Sequence, residues 1–228
     1  KAEEIKKWIN PQSDVHFPLT QLVSLEDTAN RGGGAVYEIE ELSKISTLCK
    51  SLQLPLHLDG ARVFNALAVN NQSPKSYGAH YDSISICLSK GLGAPVGSLL
   101  LGTEAFIEKA RRVRKVFGGG MRQAGIIAAG GLYALENHID RLIEDHVHAS
   151  QLARALEGCS YIQTVLPVHT NIVVANLMNE SLRDELIKKL MLKGIACMPF
   201  GPGMIRMVTH LDITAEQIEF CCKTIESL

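Results

Sequence analysis

The chain has 228 residues, 46 % hydrophobic and 21 % charged, with a formal net charge of −1. That is the composition of a folded globular protein and not of a disordered one, and near-neutrality leaves no broad positive field with which to hold nucleic acid or an anionic membrane. No stretch approaches the roughly 20 apolar residues of a membrane-spanning helix, and no signal peptide is visible.

Residues 1 to 9 have the pattern of a helix end, stopped at Asn10-Pro11 because the residue before proline disfavours helical backbone. Leu22 to Leu25 reads as a short strand, and Arg31-Gly32-Gly33-Gly34 as a glycine-rich turn. Ile39, Leu42, Ile45, Cys49 and Leu52 recur at helical spacing. Leu54 to Leu58 reads as a buried strand ending at Asp59-Gly60, followed by a short helix with Val63, Phe64 and Leu67. Ser83 to Leu88 is another strand, ending at Ser89-Lys90, and Gly91 to Pro95 is a loop. Val96 to Leu101 is a third apolar strand, and Thr103 starts a helix. The loop before Val96 is short enough for an antiparallel strand, since a long crossover is needed only for a parallel neighbour. The basic run Lys109 to Lys115, with Arg111, Arg112 and Arg114, reads as the solvated face and end of that helix.

Arg122 to Asn137 is a helix rich in Ala and Gly, and Leu142, Ile143, His146, Leu152, Ala153 and Leu156 line another. Beyond it the pattern changes. Strands are expected at Tyr161–Leu166, Asn171–Ala175, Ile195–Met198 and Met204–Val208, and helices at Leu182–Leu192 and Ala215–Leu228. The last starts on a capping box, Thr214-x-x-Gln217. Alternating short strands and amphipathic helices argue for α/β with a largely parallel sheet, divided into residues 1–139 and a smaller α/β domain, 140–228. The six cysteines form no C-x-x-C pair. Cys221 and Cys222 are adjacent, which suits neither a normal bridge nor a zinc site, and no metal centre is expected. Cys49, Cys87 and Cys197 read as small buried hydrophobes of a reducing compartment, consistent with the cytoplasm.

In open α/β sheets ligands bind beyond the carboxyl ends of the strands. Asp59 and Lys90 both stand there, about thirty residues apart, the length of one strand–helix–strand unit. A lysine and an aspartate in one cleft are what pyridoxal 5′-phosphate (PLP) chemistry needs: an amine to hold the cofactor aldehyde, and a carboxylate to keep the pyridine nitrogen protonated. Spacing leaves open the plainer alternative that Asp59 caps the next helix and Lys90 is a surface lysine.

The local sequence goes further. His57-Leu58-Asp59-Gly60-Ala61-Arg62 and Ser89-Lys90-Gly91-Leu92-Gly93-Ala94-Pro95-Val96-Gly97 resemble paired signatures of the L-threonine aldolase and aromatic amino acid β-eliminating lyase family. Phe117-Gly118-Gly119-Gly120-Met121-Arg122-Gln123-Ala124-Gly125 and Arg206-Met207-Val208-Thr209-His210 match in the same order. The resemblance runs from about Asp14 to the end. It implies the PLP-dependent, aspartate-aminotransferase-like fold (fold type I), with a three-layer αβα large domain, N-terminally incomplete, and a small C-terminal α/β domain. It implies Lys90 as the cofactor-bearing lysine and Asp59 as the partner of the pyridine nitrogen. Arg62 belongs near the ring or the substrate carboxylate, Arg206 at that carboxylate, Arg122 at the cofactor phosphate with Lys115 assisting, and His16 near the substrate hydroxyl. Arg206 lies between Ile205 and Met207, so burial of that pair turns it to the opposite face.

The expected activity is retro-aldol cleavage of L-threonine or L-allo-threonine type β-hydroxy amino acids to glycine and an aldehyde, by a homodimer or homotetramer. The alternatives are a β-eliminating PLP lyase and a truncated, non-catalytic homologue. The third is raised by departures from the family pattern. Ala29 stands where a histidine usually follows Glu-Asn-Thr, and Asp27 replaces the asparagine. The family's N-terminal portion, with its phosphate-binding loop and ring-stacking histidine, has no counterpart here, so weak isolated activity is expected.

Overall fold

A computed structural model describes residues 1–228. In chain order the elements are α1 (Ala2–Lys7), β1 (Val23–Glu26), α2 (Ile39–Ser51), β2 (Leu56–Gly60), α3 (Val63–Asn70), α4 (Pro74–Gly78), β3 (Ser83–Cys87), β4 (Ser98–Gly102), α5 (Glu104–Val116), α6 (Gly125–Asn137), α7 (Leu142–Glu157), β5 (Ile162–Val165), β6 (Ile172–Leu177), α8 (Glu180–Leu192), β7 (Met198–Gly201), β8 (Met204–Val208) and α9 (Ala215–Glu226).

The first sheet has the order β1-β2-β3-β4. β1, β2 and β3 are parallel, and β4 turns back antiparallel to β3. Strand alternation sorts its side chains. Val23, Leu25, Leu56, Leu58 and Ile86 face one way and form a core with Leu42, Ile45, Tyr77 and Leu142. Each such aliphatic side chain stabilises the fold by roughly 1.5–3 kcal/mol relative to exposure. The other face carries Ser24, His57, Asp59, Ser83, Ser85 and Cys87, none of them buried. Helix-on-sheet packing on the apolar face thus supplies two of the three layers, and the polar face stays open. Cys87 belongs to that polar face and is half-buried, not the core thiol its apolar neighbours suggested.

The second sheet is antiparallel, order β5-β6-β8-β7. α7, α8 and α9 cover it through Leu152, Leu156, Leu186, Leu190, Ile218 and Ile225. α9 opens on the expected capping box, with Thr214 and Gln217 exchanging side-chain and backbone bonds. α7 is shared: Leu142 belongs to the first core, and Ala149 onward to the second.

Several element ends differ from the sequence expectation, β2 running Leu56–Gly60 with Asp59 inside it and β4 Ser98–Gly102, and two of the differences have a clear local cause. α6 starts at Gly125 and not at Arg122, because Gln123 takes a left-handed backbone (φ 51°) that no helix accommodates. β7 starts at Met198, where the predicted strand Ile195–Met198 was to end. Ile195 instead closes α8: its N–H donates to Leu190 O, Gly194 N donates to Met191 O, and Gly194 has φ 81°. This is a Schellman cap, which uses an apolar residue after the glycine.

Candidate active site

The carboxyl edge of the first sheet gathers the charged residues. Glu26 and Asp59 are register partners across β1 and β2, and Asp59 faces Ser85 on β3. Asp59 is exposed, and its Oδ1 accepts only from Ala61 N at 3.1 Å. The tight exit from β2 requires Gly60, where a Cβ would stand 2.8 Å from Ser85 O. On the same face His57 Nδ1 lies 2.8 Å from Ser83 Oγ, so this imidazole is used structurally beneath Asp59.

Lys90 follows β3, one residue beyond Ser89, on a loop that is firmly held. Gly93 N donates to Lys90 O, Ala94 N to Leu88 O and Leu88 N to Gly97 O. Leu92 and Ala94 are buried in the first core, and His138 Nδ1 meets Leu92 O at 2.6 Å. The side chain of Lys90 itself is exposed, with no hydrogen bond or ion pair. The loop fixes the backbone and leaves the amine free.

Two arginines complete the group. Arg62, just past β2, is partly buried, and its Nε has no hydrogen-bond partner. Burial, and then the positive charge of Arg206, push its guanidinium below the usual arginine range, while Glu26 works the other way. Arg206 comes from β8 of the second sheet. Ile205 is buried behind it, as strand alternation required, and Nη1 donates to Asn30 Oδ1 at 2.7 Å. The ring of Phe200 lies 4.8 Å from its Cζ, and Arg31 approaches the same ring at 5.6 Å. The arginine ion pairs of this chain are those of Arg141 and Arg183, so neither Arg62 nor Arg206 is neutralised. Two like charges in one electrostatic neighbourhood, neither in direct ion-pair contact with a carboxylate, can receive an anion.

Beneath the edge, Asp27 is fully buried. Its N–H donates to Asp59 O at 3.0 Å, and Oδ2 accepts from the Tyr77 hydroxyl. Oδ1 and the neighbouring Thr28 Oγ1 have no partner. Burial raises the carboxyl to about 6, partly opposed by the Tyr77 bond.

The structure therefore brings Asp59, Arg62, Lys90 and, from the second sheet, Arg206 to one region. It does not bring His16 there. The loop bearing His16 leads into the amino end of β1, the far edge of the sheet, where Asn10 binds Thr20 and Pro18. His16 is 88 % exposed, and Asp14 is its partner at 3.0 Å. The sequence motif assigns it a site role; within this chain the side-chain partner of its ring is Asp14. Arg122 lies on the exposed turn before α6 and makes no bond within this chain; Lys115 folds back beside Gly120. Sequence reasoning missed Glu26, Asn30, Phe200 and the Asp27–Tyr77 pair. Glu26 was detectable as another strand-terminal carboxylate; the others show no local signal.

The sequence pattern of the beta-eliminating lyase family matches residues 1–180. Over 219 residues the chain is 41 % identical to the Schizosaccharomyces pombe protein named "Probable low-specificity L-threonine aldolase", covering 96 % of this chain and 55 % of that one. Over 205 residues it is 41 % identical to the low specificity L-threonine aldolase of Escherichia coli O157:H7, covering 90 % and 59 %. The chain thus spans little more than half the length of these relatives. The solved structure of the Leishmania major threonine aldolase superposes with a TM-score of 0.79 at 22 % identity, over 100 % of this chain and 66 % of that one. At that identity the likeness is one of fold, the fold type I arrangement.

Proposed function

The chain belongs to the beta-eliminating lyase family, and from that premise we propose that it carries the lysine, aspartate and arginines of a PLP-dependent aldehyde-lyase. The substrates are β-hydroxy amino acids of the L-threonine and L-allo-threonine type, cleaved to glycine and an aldehyde by retro-aldol. The observation that carries this reading is the pairing of an unoccupied amine, Lys90, and an exposed carboxylate, Asp59, with two unneutralised guanidiniums, Arg62 and Arg206.

The residues present fit the cofactor. Lys90 has no competing ion pair. Asp59 keeps Oδ2 free, and the buried Arg62 Nε lacks an acceptor that a ring oxygen or a carboxylate would provide. When bound, PLP supplies an electron sink for the pair released as the Cα–Cβ bond breaks. Lys90 would hold the cofactor through its free amine. Asp59 would accept a hydrogen bond from the ring nitrogen and keep a proton there. Arg206 would grip the substrate carboxylate with its remaining N–H donors and so fix the orientation of the amino acid, which is positional catalysis. Arg122, free of partners in this chain, is assigned to the phosphate, with Lys115 beside it.

The family's name favours a second reading, β-elimination with the same apparatus; glycine as product points to the aldolase, pyruvate and ammonia to the eliminase. We assign residues 1–139 to the cofactor-binding part and 140–228 to a small domain, a division supported by the two separate cores. A homo-oligomer is supported by the apolar side chains left exposed on β4, α5 and α6, among them Leu100, Val116 and Ile126. A cytoplasmic setting is supported by six free cysteines. The test is reduction of the PLP-treated chain with borohydride, followed by peptide mapping. A pyridoxyl adduct at Lys90 is expected. Absence of that adduct, both here and in a chain extended to its relatives' length, would overturn the reading.

A further inference from the structure

The glycine-rich turn after β1 has no part in the chemistry above, yet it is tightly seated near the site. Ala29 N donates to Ala35 O, and Gly34 N to Ala29 O, both at 2.9 Å. Thr170 Oγ1, from the segment leading into β6, donates to Gly34 O at 2.9 Å. Gly34 has φ 81°, and a Cβ there would lie 2.4 Å from Thr170 Oγ1. The turn is therefore pinned to the second sheet, and it presents Asn30 at the guanidinium of Arg206, 176 residues away in sequence.

We propose that Asn30, with the ring of Phe200 behind the guanidinium, is a positioning residue that holds Arg206 for the substrate carboxylate without neutralising it. The proposal rests on the carboxylate-binding reading of Arg206. An amide oxygen accepts one N–H of the fork and leaves the positive charge and the other donors available. A carboxylate at the same place would accept the same bond but occupy the charge, competing with the substrate. Phe200 restrains the guanidinium plane by cation–π contact, again without supplying a counter-charge. This matters because Arg62 repels Arg206, so the fork needs a tether, and the tether must be neutral.

The distinguishing variant is Asn30→Asp. A merely structural role is rescued by aspartate, which keeps the acceptor; the proposed role is not. Acetate serves as the probe, titrated into the full ¹⁵N-labelled chain while the amide signals of Arg31 and Phe200 are followed, with melting temperature measured in parallel. Wild type should titrate saturably. Asn30→Ala should weaken acetate roughly tenfold, the magnitude of one net hydrogen bond to a charged group. Asn30→Asp should lose the titration while melting close to wild type. Phe200→Tyr should retain it and Phe200→Leu weaken it, a pair that still decides the matter should the Asn30 variants misfold. Wild-type acetate binding by Asn30→Asp, or by both Asn30→Ala and Phe200→Leu, overturns the proposal. Arg206→Lys serves as the control: if it binds acetate like wild type, the carboxylate reading of Arg206 fails first and this proposal with it.

Discussion

The phenol of Tyr77 donates to Oδ2 of Asp27, joining α4 to the carboxyl end of β1 in a space closed to water. Asp27 is also tied through its N–H to Asp59 O, so this buried acid lies one hydrogen bond from the strand that presents the site carboxylate.

Stability should depend on pH through Asp27. Burial raises its carboxyl from 3.8 to about 6 in the folded protein. The folded state then binds this proton more tightly than the unfolded chain, so stability falls as pH rises from about 4 to about 6 and levels off above. Asp27→Asn removes that dependence. The difference in unfolding free energy between variant and wild type should shift in favour of the variant by about 2 kcal/mol from pH 4 to pH 7.5. Urea melts at both pH values check this; a constant difference would show an unperturbed carboxyl.

Asp59→Asn should separate cofactor attachment from cofactor activation. The amine of Lys90 is untouched, so borohydride labelling should persist. The neutral amide cannot hold the ring nitrogen protonated, and turnover should fall by about 10²–10³-fold, as for loss of other preorganised electrostatic partners. Turnover is best measured on a chain extended to its relatives' length. Undiminished turnover there would remove Asp59 from its role.

Gly34→Ala should unseat the glycine-rich turn. The added methyl meets Thr170 Oγ1, and φ 81° is strained for alanine. A loss of about 1–3 kcal/mol is expected, together with weaker acetate binding at Arg206, whereas Gly118→Ala, with open space around its Cβ position, should leave acetate binding unchanged.

The two faces and the edge of the first sheet should respond differently to substitution. Leu58 is fully buried and Leu100 is 41 % exposed. Leu58→Ala should cost about 2–5 kcal/mol. Leu100→Glu should change unfolding free energy by less than about 1 kcal/mol but reduce self-association in sedimentation velocity, since charge on an uncovered edge strand opposes pairing.

Much of this architecture was legible along the chain. Leu42, Ile45 and Cys49 mark a helix by period, and Thr214 with Gln217 mark its start elsewhere by capping chemistry. Asp59 and Lys90 were legible as charged residues ending apolar strands. Where local reading erred, a local conformation was responsible: the left-handed Gln123 delayed α6, and the Schellman cap at Gly194 drew Ile195 away from β7.

Period, turn chemistry and residue type belong to the sequence itself, because they depend on neighbours within one or two turns of backbone. From them come the α/β class, most of the elements, and the lysine–aspartate pair. Contacts between distant segments were decided only by the tertiary structure. That Asp27 is dry and bonded to Tyr77, that Asn30 meets Arg206, and that Arg62 shares the electrostatic neighbourhood of Arg206 all depend on strand register and on how the two sheets pack. These are properties of the assembled core, and no local spacing encodes them.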